Sequence, residues 1–122
     1  MSTATYNNAQ LAVASGNVAA SVATATLPAA TGRLTYITGF EVTGAGATAG
    51  AVVTVTVTNT VGGTLTYNYT ASTGAAVANQ PLIVNFPEPI PANAYNTAIV
   101  VSCPSLGAGN TNNAVVAHGY QV

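Results

Sequence analysis

The chain has 122 residues, enough for one domain with a hydrophobic core and too few for a second domain. Only 2% of its residues are charged, against about 25% in an ordinary soluble domain, and the net charge at pH 7 is -1. Because Arg33 is the only Lys or Arg, the composition excludes recognition of nucleic acid by a cluster of basic residues.

Residues 1–16 predict an N-terminal arm ahead of a β-sandwich domain over residues 17–122. The first residues lack the basic region and apolar run of a signal peptide, and no stretch approaches the ~18 apolar residues of a membrane span. Alanines in residues 7–26 favour a helix, but Gly16 and several Val and Thr residues lower helix propensity, so we predict strands there. We expect the arm to reach a neighbouring subunit and to order on contact, and we expect no membrane partner.

Alternation of apolar and polar residues predicts strands along most of the remaining chain, because successive side chains of a strand point to opposite faces. The clearest case is AVVTVTVTNTVGGTLTYNYT, residues 51–70, which predicts a hairpin around a glycine turn. Its predicted inward residues are Val53, Val55, Val57, Leu65, Tyr67 and Tyr69. An earlier run predicts Leu34, Tyr36, Phe40 and Val42 on one face. Further runs lie at 82–86, 99–103 and 114–122.

Seven or eight short strands with no strong helix between them are typical of a sandwich or a barrel. The predicted fold is therefore all-β, a single antiparallel β-sandwich, with a jelly roll as the favoured topology. The segment FPEPIPAN, residues 86–93, carries three prolines that lack amide donors. It is predicted to form no central strand, to end a strand and to cross between the sheets.

Side chains that could carry chemistry are few. Glu41 and Glu88 are the only side-chain carboxylates, and the chain has no Trp and no Asp to complete a glycosidase site. His118 lacks partners for a zinc site and an orienting acid for nucleophilic catalysis, and Cys103 is best interpreted as a buried small hydrophobe. We therefore predict no catalytic residue, no metal and no cofactor, and a structural role for His118.

Arg33 is the candidate interface residue. It lies eight residues from Glu41 on the same predicted strand and face, a distance of about 26 Å at about 3.3 Å per residue, so the two side chains cannot pair within that strand. Arg33 is then left to contact Glu88, a backbone carbonyl, a neighbouring subunit or solvent. The low net charge gives little self-repulsion, so we expect a homo-oligomer rather than a free monomer.

The order of several segments resembles the small jelly-roll capsid decoration, or cement, proteins of tailed bacteriophages over residues 17–122. These segments are GRLTYITGFEVTG, AVVTVTVTNT, LTYNYT, PLIVNFPEPIPAN, TAIVVSCP and AVVAHGYQV. The resemblance implies a non-enzymatic virion protein, made in the host cytoplasm, that binds the outside of the head and stabilises contacts between major capsid subunits. It also implies a trimer or a dimer, and it assigns no functional residue.

An alternative is a receptor- or glycan-binding β-sandwich module of a phage fibre or a cell surface, because β-sandwiches host many such sites. A module of this kind uses exposed Trp or Tyr clusters and metal-binding loops of Asp or Asn. The six tyrosines leave the alternative open, although the chain has no Trp.

Overall fold

The computed structural model describes residues 10–74 and 79–122, which contain eight antiparallel strands and no helix. The strands are β1 Leu11–Ala14, β2 Ala23–Leu27, β3 Thr35–Ala45, β4 Ala51–Thr60, β5 Gly63–Ala71, β6 Leu82–Pro91, β7 Ile99–Cys103 and β8 Asn112–Gln121. Sheet A has the order β1-β8-β3-β6, and sheet B has the order β2-β7-β4-β5. The predicted all-β class and β-sandwich are confirmed.

The strands pair as a nested set. β1 pairs with β8, β2 with β7, β3 with β6 and β4 with β5, all antiparallel. The additional pairs β3 with β8 and β4 with β7 join these units into the two sheets. The chain therefore alternates between sheets from β1 to β4 and again from β5 to β8, and the jelly-roll topology itself stays a prediction.

The core lies between the sheets and consists mainly of aliphatic side chains. Its largest fully buried members are Phe40, Leu27, Ile37, Ile99 and Leu106. Phe40 contacts Tyr67 edge-on, with ring centroids 5.2 Å apart, and lies 6.3 Å from the ring of Phe86. Cys103 is also buried, as predicted. Its burial raises the pKa of the thiol to about 11, against a smaller lowering by a hydrogen bond with Asn113.

The β4–β5 hairpin has the predicted register and faces. Its inward pairs are Val53 with Tyr69, Val55 with Tyr67 and Val57 with Leu65. All six side chains are in the core or pack against it, whereas Thr54, Thr66 and Asn68 are exposed. At the turn Gly63 has φ 95°, a conformation that favours glycine, and the Thr60 hydroxyl donates to the Gly63 carbonyl. The predicted hairpin is confirmed.

The proline-rich segment 86–93 corrects one prediction. β6 spans Leu82–Pro91 and so continues through all three prolines instead of ending before them. It forms an edge of sheet A, where a missing amide donor on the solvent side costs no ladder bond, and its pairing with β3 skips residues 86–89. The predicted crossing follows directly, because Ala92 bridges to Thr60 at the end of β4.

A bulge interrupts β3. Ile37 is opposite Gly119 of β8 and Gly39 is opposite His118, so Thr38 is an extra residue in β3. Glycine permits the close backbone approaches here. A Cβ atom on Gly39 would lie 2.6 Å from a carbonyl oxygen of β6, and one on Gly119 would collide with a carbonyl oxygen of β3. Strands on both sides of β3 therefore approach the bulge too closely for a side chain.

The bulge also corrects the predicted faces of β3. Ile37 and Phe40 are both fully buried although they are an odd number of positions apart, because the extra residue shifts the alternation by one position. Tyr36 consequently lies on the outer face of sheet A and not in the core as predicted. Arg33 and Glu41 were predicted to share a face because they are eight residues apart on one regular strand. The extra residue lies between them, so this spacing no longer places them on one face.

The structure describes part of the predicted N-terminal arm. Residues 11–14 form β1, which pairs with β8 of the same chain, and Val18 bridges to Asn113. The strands predicted within residues 7–26 are thus confirmed for the described part of that segment. Residues 1–9 lie outside the described residues, and their role as an arm stays a prediction.

Candidate binding surfaces

The outer face of sheet B is covered with hydroxyl and amide side chains, and we call it the threonine face. Its members are Thr24, Thr26, Val52, Thr54, Thr56, Thr58, Thr66, Asn68, Thr70, Val100 and Ser102, among which Val52 is 68% exposed. One row crosses all four strands, because Thr24 and Thr56 both oppose Ser102, and Thr56 opposes Thr66. Neighbouring strands place these hydroxyls about 4.8 Å apart. They can hydrogen-bond water and one another without any charge.

The outer face of sheet A is different, and we call it the tyrosine face. Its members are Ala12, Ala14, Tyr36, Thr38, Glu41, Thr43, Ile83, Asn85, Pro91, Ala114, Val116, His118 and Tyr120. Tyr36 and Tyr120 are opposite each other on β3 and β8, and their rings stack with centroids 5.0 Å apart and planes 13° apart. Ile83 is 62% exposed. The stacked tyrosines, Ile83 and Val116 therefore lie on this surface beside several polar side chains.

Glu41 and His118 form a hydrogen-bonded pair within the tyrosine face. His118 Nε2 lies 2.8 Å from Glu41 Oε1, and the two side chains are 34% and 32% exposed. Glu41 is opposite Val116 and His118 is opposite Gly39, so the pair is diagonal across β3 and β8. The sequence interpretation left His118 without an acidic partner. This pairing joins residues far apart in the chain and depends on the register that follows the bulge.

An imidazole beside a carboxylate is also a part of many catalytic sites. Residues 10–74 and 79–122 contain no group of three or more His, Cys, Asp or Glu residues that could hold a metal ion. Cys103 lies buried in the core with a raised thiol pKa, so it is not an activated nucleophile. The Glu41–His118 pair is a polar contact across β3 and β8 on the tyrosine face.

The other two charged residues lie outside the centre of the tyrosine face. Arg33 precedes β3 and is half-buried. Its backbone N–H donates to the Ala30 carbonyl, and its carbonyl accepts from the Asn96 N–H. Glu88 is exposed within the proline-rich part of β6 that does not pair with β3. The interface role of Arg33 stays a prediction.

Three buried asparagines join the loops at one end of the sandwich, a feature that the sequence interpretation missed. The Asn113 amide donates to the carbonyls of Ser21 and Pro104, both at 3.1 Å. The Asn110 amide donates to the carbonyls of Ala45 at 2.9 Å and Asn112 at 2.7 Å. Asn79 Oδ1 accepts a hydrogen bond from the Ser72 N–H at 2.6 Å. These bonds satisfy backbone groups of loops, at Ser21, Ser72 and Pro104, and of the paired strand ends at Ala45 and Asn112. The asparagines therefore serve the fold.

The two lateral sides of the sandwich also differ. On one side β1 packs against β2, whereas on the other the edge strands β5 and β6 make few close approaches. We call this second side the open side. The inward residues Leu65 and Tyr67 of β5, and Val84 and Phe86 of β6, pack on the core but are only half-buried. A cavity of about 280 Å³ lies there, lined by Asn68, Tyr69, Thr70, Gln80, Pro81 and Leu82.

Comparison of the chain with protein-family models, with curated proteins and with solved structures found no match. Among residues 10–74 and 79–122 there is no helix that is long and apolar enough to cross a membrane.

Proposed function

We propose that the protein is a non-enzymatic decoration protein that binds the outside of a bacteriophage head and stabilises contacts between major capsid subunits. The observation that carries the proposal is the tyrosine face. It presents Tyr36, Tyr120 and Val116 half-buried and Ile83 exposed on one side of a β-sheet. Cores of protein–protein interfaces are enriched in aromatic residues. In this proposal the tyrosine face contacts the capsid.

The strand order supports the same proposal. A jelly roll is a sandwich of eight strands in two sheets, and it is found in viral capsid proteins. The nested pairs, from β1 with β8 to β4 with β5, are consistent with a hairpin rolled into two sheets. A jelly roll that displays one apolar outer face is a compact module for attachment to a preformed shell.

The threonine face supports the proposal from the opposite side of the molecule. Decoration proteins stand close together in many copies, so a strongly charged outer surface would make neighbouring copies repel one another. The outward hydroxyls of Thr54 and Thr66 remain hydrated without charge. The threonine face is thus suited to face solvent in a crowded layer of dimers or trimers on the virion.

Binding to purified heads that lack the protein tests the proposal. Because Glu41 is the one carboxylate of the face and its other side chains are mostly neutral, co-sedimentation with heads should change little between ~0.05 M and ~1 M salt, a range over which the Debye length falls to ~3 Å. Sulfate should if anything strengthen binding. Loss of binding as salt rises would reject the neutral interface, and no binding at any salt would reject the decoration role.

The alternative role as a receptor- or glycan-binding module draws on the same face, where the stacked tyrosines lie on the sheet that carries Glu41 and His118. One face of each ring is already covered by the other ring, which reduces the area available to a sugar. The two roles are separated by offering the protein both bare heads and host cells. Retention by host cells and not by heads would favour the alternative.

A further inference from the structure

The four sheet edges are not equally protected. β1 and β2 are short edges of four and five residues, and β6 contains three prolines. β5 is an edge of nine residues, Gly63–Ala71, with no proline and no charge. Natural proteins protect long edges with prolines, charges, bulges or a covering segment, because an exposed edge is a template for another strand. β5 therefore lacks the devices that protect the other edges.

The surface below β5 is also incomplete. The inward side chains of Leu65 and Tyr67 are only half-buried, and Val84 and Phe86 face them from β6 with similar exposure. A strand added to β5 would hydrogen-bond to its free edge and would lay alternate side chains over these four residues. The open side is thus shaped for one more strand in sheet B.

A segment of the same chain has the matching sequence. Residues 3–7 read TATYN and residues 64–68 of β5 read TLTYN, so four of the five positions are identical. The shared alternation would place the two threonines and the asparagine on the threonine face and Tyr6 over the open side. Residues 1–9 contain no proline and no charge. Their extended length of about 30 Å matches the nine residues of β5.

The geometry favours addition between two copies of the chain. Residue 10 leads into β1, which is three strand positions from β6 in sheet A. Three spacings of about 4.8 Å and a sheet separation of about 10 Å put β5 roughly 17 Å away in a straight line, and farther around the surface. Crossing this distance would use more than half of residues 1–9, leaving too few to pair along β5 of the same chain.

We propose that residues 1–9 of one copy add as a fifth strand of sheet B to β5 of a neighbouring copy. Main-chain hydrogen bonds to the free edge provide affinity, and Tyr6 covers the open side, as in other cases of strand addition. This exchange joins copies to one another, so it goes beyond attachment to a capsid and does not depend on it. It makes each copy both a donor and an acceptor of a strand.

Disulfide trapping between two single-cysteine variants tests the exchange. Thr5→Cys in one protein and Thr66→Cys in another place thiols on the same face of adjacent strands, within the roughly 7 Å that a disulfide allows between Cα atoms. Thr3→Cys and Asn7→Cys sample other registers. The matched control is Thr26→Cys, another exposed threonine of the threonine face, on the edge strand β2. All variants keep the native Cys103, which is buried, and the protein without added cysteines gives the background level of disulfide-linked dimer.

Under oxidation of mixed proteins, at least one arm variant should give a disulfide-linked dimer with Thr66→Cys as the main product and little with Thr26→Cys. The protein without added cysteines should form the same contact non-covalently. Removing residues 2–9 from it should abolish that self-association, so that the mass from light scattering falls to that of a monomer. Three results would overturn the proposal: equal linkage to Thr26→Cys, no linkage from any arm variant, or an unchanged mass after the deletion. Linkage of Thr66→Cys only to itself would instead show β5 pairing with β5.

These experiments use purified protein without heads. Their failure would leave the salt-independent binding to heads unaffected, and a failure of head binding would leave the trapped dimer standing. The strand exchange and the decoration role are thus tested separately.

Discussion

The two sheets place their titratable side chains on opposite sides. Sheet A carries Tyr36, Glu41, His118 and Tyr120 on its outer face. Sheet B carries Tyr67, Tyr69 and Cys103 on its inner face, and its outer strand positions hold hydroxyl, amide and aliphatic side chains. From one nearly uncharged composition the chain thus builds one outer face with stacked tyrosines and a carboxylate–imidazole contact, and another whose polar groups are mainly hydroxyls.

The bulge in β3 accounts for part of this difference. Upstream of Thr38, the alternation of β3 places Ile37 inside and Tyr36 outside, and downstream it places Phe40 inside and Glu41 outside. In the β4–β5 hairpin the alternation is uninterrupted from the first pair to Val57. The inserted residue therefore brings Tyr36 to the outer face beside Tyr120 while Phe40 stays in the core.

The largest expected effect comes from adding a side chain where β8 approaches β3 most closely, next to the bulge. In a Gly119→Ala variant the new Cβ atom would collide with the Tyr36 carbonyl oxygen and lie 3.0 Å from Leu27 Cδ1. We expect the free energy of unfolding to fall by about 3 kcal/mol, the upper part of the range for overpacking. Urea denaturation followed by circular dichroism measures this change. Gly62→Ala, which would meet no atom within 4 Å, is the control and should change stability by less than about 0.5 kcal/mol.

An unchanged stability in Gly119→Ala would mean that β3 and β8 separate at little cost, and the bulge would then not hold the tyrosine face in place. A fall of similar size in Gly62→Ala would point to a general sensitivity of turns to added side chains.

The next effect tests which face binds. Tyr120→Lys puts a charge in the tyrosine face and removes the stacking partner of Tyr36, so binding to heads should weaken by about 2 kcal/mol or more, as for a central interface aromatic. Thr54→Lys puts the same charge in the threonine face, where Thr54 is exposed, and should leave binding unchanged. Co-sedimentation with heads gives both values, and circular dichroism confirms that each variant is folded. The reverse pattern would assign binding to the threonine face.

The sequence predicts the regular parts of this fold and not the interruptions. The β4–β5 hairpin follows from local alternation, and so does the exposed threonine row. The outward position of Tyr36 does not, because the bulge depends on close approaches to Gly39 and Gly119 from strands that are distant in the chain. The contact between Glu41 and His118 cannot be predicted from the sequence for the same reason. It depends on β3 and β8 being neighbours, and these strands are far apart in the chain.

A smaller effect should appear in sheet B at alkaline pH. Burial raises the pKa of Cys103 from 9.0 to about 11, so the folded state holds a neutral thiol where the unfolded chain ionises. The stability from this group is complete below pH 9.0 and is lost as pH rises toward 11, by about 1.4 kcal/mol per unit. Urea denaturation at pH 8 to 10 should show the fall, which Cys103→Ser should reduce. The same slope in that variant would assign it to other groups, among them Tyr67 and Tyr69, whose pKa burial also raises.

The smallest expected effect on stability concerns the Glu41–His118 pair of sheet A. Glu41 and His118 are each about one-third exposed, so solvent screens their attraction, and such pairs contribute about 0.2–1 kcal/mol. Glu41→Gln keeps the shape and a hydrogen-bond acceptor, and it should change the free energy of unfolding by less than about 0.5 kcal/mol. Binding to heads should respond more strongly if the tyrosine face is covered there, because the imidazole would then be desolvated without its carboxylate. Urea denaturation and co-sedimentation of this one variant therefore separate the contribution of the pair to stability from its contribution to head binding.

A loss of stability above about 1 kcal/mol would show that the pair holds β3 and β8 together in the free protein. An unchanged affinity for heads would place the contact surface away from Glu41, and the contrast between the two outer faces would then have to be explained by folding alone.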